Sequence, residues 1–181
     1  MLAYNSIMAC RIILSTLILY AVLIGCTSND GPSEKAKEYF KKGIEKSQQQ
    51  QQQQAIDYFS KAIELYPDFI NAHYNRGISK LNLQKTEEAI KDFDKTVALD
   101  SKHVFAYFSR GIAKKILGDH QGAIADYTKT IELKPDYAAA YNNRGLEKIN
   151  LGKKNDGCLD LTSASDLGFE NAKELLNELC N

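Results

Sequence analysis

The side chains of this 181-residue chain best able to act as nucleophiles, bases or metal ligands are four cysteines and three histidines. Catalysis or metal binding would need several of them to converge with carboxylates. His73, His103 and His120 instead fall at positions 4, 34 and 17 of the repeat described below. Those positions point in different directions, so each histidine is expected at a helix surface or in a turn. No HExxH, GxSxG or phosphate-loop pattern occurs. No catalytic residue, metal site, cofactor or small-molecule substrate is therefore expected. Lys plus Arg and Asp plus Glu both number 23, for a formal net charge of zero. The basic excess that phosphate-backbone binding requires is missing, and nucleic acid is not expected as a partner.

The first 25 residues contain no acidic residue and one basic one, Arg11, followed by a thirteen-residue apolar run from Ile12 to Ile24. That is the layout of a signal peptide. A bilayer-spanning helix needs about 20 apolar residues, so the run reads as a targeting segment. It ends in Leu23-Ile24-Gly25-Cys26, which resembles the lipobox of bacterial lipoproteins. The resemblance implies a signal peptide over 1–25, cleavage before Cys26, and acylation of Cys26 with more than one chain, palmitate among them. At about 0.8 kcal/mol per buried CH₂, two or more chains make a stable anchor where one is marginal. Cys10 follows no apolar run and is not expected to carry lipid. Met8 as a start would leave a shorter but complete signal. Thr27, in place of Asp, implies export to the outer membrane in the Gram-negative lipoproteins resembled here. Residues 27–32 are polar with a Gly-Pro break and read as a tether of at most about 20 Å.

Beyond the tether an internal repeat is visible. Gly43, Gly77, Gly111 and Gly145 are spaced by 34 residues. Ala55, Ala89 and Ala123 follow twelve residues after the first three, with Gly157 in the fourth place; Phe59, Phe93, Tyr127 and Leu161 come four residues later. Pro67 and Pro135 close the first and third units. Glycine costs about 1 kcal/mol against alanine in a helix interior, so four at one position imply close packing. An aromatic, Gly, Ala, aromatic and Pro in that order resemble the tetratricopeptide repeat, a helix-turn-helix unit. The units run 36–69, 70–103, 104–137 and 138–171, and segment 170–180, with Ala172, Leu175, Leu176 and Leu179 at helical spacing, reads as the polar-faced cap a solenoid needs. The expected fold is all-α over 33–181: a right-handed α-solenoid of about four repeats with a C-terminal capping helix.

Particular positions carry further expectations. Gly118 and Gly152 suit left-handed helix ends, with Asp119 and Asp156 capping the next helices, so the last second helix is expected over Asp156 to Asp166. Gln48 to Gln54 falls where the first unit turns; glutamine is a fair helix former, so that turn is expected to be blurred. Arg76, Arg110 and Arg144 recur in step with Asp92, Asp126 and Asp160 and read as inter-helix or inter-repeat contacts. If Cys10 leaves with the signal and Cys26 is acylated, Cys158 and Cys180 remain, either as buried thiols or as a disulfide.

The resemblance also places a peptide-binding groove on the first helices, at repeat positions 2, 5, 6, 9, 12 and 13. Those positions give Asn71, Tyr74, Asn75 and Asn82, then Phe105, Phe108, Ser109 and Lys115, then Asn142, Asn143 and Asn150. The carboxylate clamp of chaperone-binding relatives is not among them: Phe40, Ile44, Phe105 and Ser109 stand at its positions, and only Asn75 matches. The expected function is that of a membrane-tethered scaffold or adaptor of the bacterial cell envelope that binds a protein or peptide. The alternatives are a structural or surface lipoprotein without a defined partner and an accessory subunit of an envelope enzyme.

Overall fold

The computed structural model describes residues 31–180. The expected signal peptide, Cys10 and Cys26 lie outside the described residues. Among the described residues nine α-helices follow in order: α1 (Glu34–Gln48), α2 (Gln52–Leu65), α3 (Ile70–Asn82), α4 (Thr86–Leu99), α5 (Val104–Ile116), α6 (His120–Leu133), α7 (Ala138–Asn150), α8 (Lys154–Asp166) and α9 (Ala172–Leu179). The first eight form four hairpins, one per 34-residue unit, and each hairpin packs on the next.

Each hairpin turns through three residues by the same device. The middle residue takes the left-handed conformation, at Gln50 and Gln84 (φ 60° each), Gly118 (φ 79°) and Gly152 (φ 77°). The next N–H donates back to the carbonyl of Lys46, Lys80, Lys114 or Lys148, each at 2.9 Å. This is the 6→1 bond of a Schellman end, which satisfies a carbonyl the helix leaves free. The glutamine run therefore does not blur the first turn. Gln48 ends α1, Gln52 opens α2, and Gln50 adopts the backbone geometry that glycine holds in units three and four. Asp119 caps α6 by accepting from Gly122 N at 2.9 Å. Asp156 does not cap: α8 starts two residues earlier, at Lys154, and Asp156 lies in its first turn.

The repeated glycine lets the two helices of a unit close on an aromatic ring. A Cβ on Gly43 would come 2.5 Å from Phe59 Cε1, and one on Gly77 or Gly111 would come 2.7 Å from Phe93 or Tyr127 Cε1. All three rings are fully buried, as are Ala55, Ala89 and Ala123 beside them. In the fourth unit Leu161 replaces the ring and the backbones themselves approach. A Cβ on Gly145 would meet Gly157 O at 2.8 Å, and one on Gly157 would meet Gly145 O at 2.6 Å.

Between units, beside apolar contacts such as that of Ala89 and Phe93 with Ala113, a polar contact repeats with the same period. Arg76 donates Nε and Nη2 to the Asp92 carboxylate of its own unit and Nη1 to Ser60 Oγ of the preceding one. Arg110 spans Asp126 and Asp94 in the same way, and Arg144 spans Asp160 and Thr128. Lys80, Lys114 and Lys148 give each buried aspartate a second cation at 2.7–2.9 Å. The first unit departs from this scheme. Lys42 holds the arginine position, paired with Glu38 at 2.6 Å, and Tyr58 replaces the aspartate. Lys61 lies over the rings of both Tyr58 and Tyr39. At the other end a disulfide joins Cys158 of α8 to Cys180 just beyond α9, with Cα atoms 5.9 Å apart.

Left-handed backbone costs an L-residue on the order of 1 kcal/mol and glycine little. Gln84→Gly should therefore raise the stability of the domain by about 1 kcal/mol and the midpoint of thermal unfolding by about 2–4 °C. Circular dichroism melts of the variant and its parent measure this. An unchanged or lower midpoint would mean that the left-handed turn is not under strain.

Candidate functional site

The groove expected from the sequence lies on the first helices, and these adjoin: α1 touches α3, and α3 touches α5. The eleven residues assigned to it separate by phase. Asn71, Asn82 and Asn150 are exposed, and Asn75, Asn143 and Lys115 partly so. The amides of Asn75 and Asn143 donate to carbonyls one turn back, Asn71 O at 2.7 Å and Ala139 O at 2.9 Å. This fixes the side chains along the helix and leaves their own carbonyl oxygens to accept. Phe105 is half exposed.

Four of the eleven are not open groove residues. The ring of Tyr74 lies 6.0 Å from Phe93 and 4.9 Å from His103, and that of Phe108 lies 5.7 Å from Tyr127 and 4.9 Å from Tyr137. Ser109 and Asn142 are buried. The reason is rotational. Position 5 turns inward, against the aromatic of its own second helix and the residue that leads into the next unit, so a large side chain there fills the joint.

Two residues outside the eleven share this face of α5, Ile112 and Ile116. Ile116 is 57% exposed, against 50% for Phe105. With Ser109 and the half-buried Ile112, the two recur on α5 at i, i+4, i+7 and i+11, which is one stripe of a helix. An apolar strip on α5 thus lies between a first helix bearing Asn71, Asn75 and Asn82 and another bearing Asn143 and Asn150. Ile112 and Ile116 stand at repeat positions 9 and 13, where the other units carry Ile78 and Leu146, and Asn82 and Asn150.

The histidines do not form a reactive set. His73 is buried, contrary to the surface place expected for it; its Nε2 donates to Pro67 O at 2.8 Å while Nδ1 stands 3.6 Å from Asp92 Oδ1. His103 caps α5, accepting from Ala106 N at 3.1 Å. His120 Nδ1 lies 2.6 Å from Glu147 Oε2, linking the third unit to the fourth. Among the described residues no group of three or more His, Cys, Asp or Glu side chains could hold a metal ion. No described helix is long and apolar enough to cross a membrane.

This geometry defines a tetratricopeptide-type all-α solenoid. Residues 39–69 and 58–91 match models of the tetratricopeptide repeat, and residues 114–148 match a TPR-repeat model, so the chain carries these repeats, which generally mediate protein–protein interaction. Among solved structures it is similar to a crystal structure of MamA, at 25% identity and TM-score 0.72, over 76% of this chain and 81% of that one. It is also similar to the first TPR domain of Spaghetti (RPAP3) bound to the HSP90 peptide SRMEEVD, at 29% identity and TM-score 0.65, over 66% and 95% of the two chains. A third is the TPR domain of Arabidopsis OM64, at 26% identity and TM-score 0.63, over 65% and 97%. No curated protein matches the sequence.

The polar joints make stability depend on pH. Burial by itself would push the Asp92 carboxyl up, but contacts from His73, Arg76 and Lys80 outweigh it and hold the group well below the usual carboxylate range. A depressed folded-state value means stability that is complete above the unfolded value of about 3.9 and is lost as pH falls through the folded one. Asp92→Asn should cost about 3 kcal/mol at pH 7, since it leaves Arg76 and Lys80 without their counter-charge. The deficit should shrink steadily between pH 4 and pH 2. Urea titrations across that range give the difference, and a gap that stays constant with pH would show that Asp92 is not the linked group.

Proposed function

We propose that the chain is a membrane-tethered protein-binding scaffold of the bacterial cell envelope. Its solenoid holds a partner segment along the first-helix face. The observation that carries the binding half is the uncovered strip Phe105–Ile112–Ile116 on α5, with asparagines on the first helices to either side. Apolar side chains in such a strip anchor a segment, and side-chain amides hydrogen-bond its backbone in either direction.

The chemistry of the face favours an uncharged internal segment over a free carboxylate. The Spaghetti relative binds a peptide ending in Glu-Glu-Val-Asp. Here the clamp positions hold Phe40, Ile44, Phe105 and Ser109, so none of these positions offers a cation to a terminal carboxylate. The tethering half rests on the lipobox resemblance at Cys26: acyl chains there, with palmitate among them, would keep the domain within a tether's length of the outer membrane.

Two experiments test the halves separately. Cys26→Ala should release the protein to the soluble fraction or leave it unprocessed. A variant that is processed and still sediments with membranes would end the anchor reading. For binding, a partner recovered by crosslinked affinity purification from envelopes should lose about tenfold or more in affinity for Phe105→Ser with Ile116→Ser, while helicity is kept. The peptide SRMEEVD should show no binding, and raising salt from 50 to 500 mM should change partner affinity little, because the strip carries no charge. Full capture by the double variant would move the site off α5.

A further inference from the structure

We propose that the Cys158–Cys180 bond is a redox-operated clasp that decides whether α9 closes the solenoid. The inference is independent of the groove and rests on the short length of α9 and on its packing chiefly against one neighbour.

Helix α9 occupies the place of a fifth first helix: Ala172 stands 34 residues after Ala138 and, like Ala36 at the same repeat position, is fully buried. Interior first helices are held on two sides; α5, for example, packs on both α4 and α6. Helix α9 packs chiefly on α8, and no second helix of its own follows among the described residues. The arginine that ties a first helix to its neighbours is Glu178 in α9. No side chain caps its N-terminus, and it has eight residues, fewer than the roughly 12–15 at which an isolated helix becomes even marginal. Its apolar face consists of buried Ala172 with half-buried Leu175, Leu176 and Leu179.

Cys158 holds the position of Ile56, Ile90 and Ile124 in the other units. Ile90 packs against the core that Ala89 and Phe93 form with Ala113 of the following first helix. At this one joint an apolar contact to the next helix is thus replaced by a covalent and reducible link. Both cysteines are half-buried, so a small thiolate can reach them.

The step is ordinary thiol–disulfide exchange with a dithiol reductant. One reductant thiolate attacks a cysteine sulfur, the Sγ–Sγ bond breaks and the other cysteine leaves as a thiolate. The second reductant sulfur then displaces the first cysteine. The chain gains two electrons and two protons as two thiols, and the reductant ends as a disulfide. With the link gone, α9 detaches and α8 becomes the end of the stack.

The full chain, purified without reductant, is compared with and without dithiothreitol by amide hydrogen exchange and by tryptic cleavage after Lys173. Reduction should speed exchange over 172–179 by about tenfold or more and speed cleavage after the already exposed Lys173 by a similar factor, while α1 to α7 change by less than about twofold. Cys158→Ser with Cys180→Ser should behave as the reduced chain whether or not dithiothreitol is present. Unchanged protection of α9 after reduction would overturn the clasp, because packing alone would then suffice. Exchange that rises throughout α1 to α7 would also overturn it, because the bond would then staple the whole domain. Two free thiols in the protein as purified would remove its premise.

Discussion

The stack depends on an arginine that engages two second helices at once. In units two to four the guanidinium closes a two-pronged bond on the aspartate sixteen residues ahead and uses its remaining nitrogen on a side chain sixteen residues behind. A planar fork of donors at fixed angles transmits direction as well as attraction, which a lysine ammonium does not. Each unit is thereby set against its predecessor at a common angle. The glycine–aromatic contact sets the other spacing, between the two helices of a hairpin. Together they leave the outward positions of the first helices free to vary, and it is there that the chain places Phe105, Ile116 and its asparagines.

Burying an aspartate beneath two cations is a costly way to hold a joint, since desolvation cancels much of the attraction. Its merit is intolerance of error. A hydrophobic joint slips by small amounts at little penalty, whereas a displaced guanidinium leaves a carboxylate uncompensated. For the binding face proposed here, assembled from several successive helices, such resistance to slippage would keep side chains from different units in register. The asparagine amides tied to carbonyls one turn back act in the same sense, by fixing side chains before any ligand arrives.

The 34-residue period made the architecture legible in the sequence, because every unit repeats the same small and aromatic residues at the same phase. Two helix ends, at Gly118 and Gly152, were legible as well, whereas Asp156 looked like a cap but lies in the first turn of α8. The site was legible only in part. Helix phase distinguishes faces, yet position 5 lies close to the dividing line, and the bulk of Tyr74 and Phe108 tipped them into the joint. Asn142 followed the same position inward. His73 was misplaced because a buried histidine is recognised by its partners, here a proline carbonyl and an aspartate, and neither pairing is visible in a linear pattern. The glutamine run misled for a related reason: composition reports what a residue prefers, while Gln50 obeys the turn that its neighbours close.

The first unit, with Lys42 and Tyr58 where the others carry arginine and aspartate, bears on how such a chain could lengthen. Duplicating the second or third unit in tandem would insert a module that already carries a forward and a backward contact, and the ladder would run through the new copy unbroken. Duplicating the first would place a lysine and a tyrosine in the middle of the array, where a neighbour offers a side chain for a fork that is missing. The interior of this solenoid is therefore modular, whereas its first unit is committed to one address.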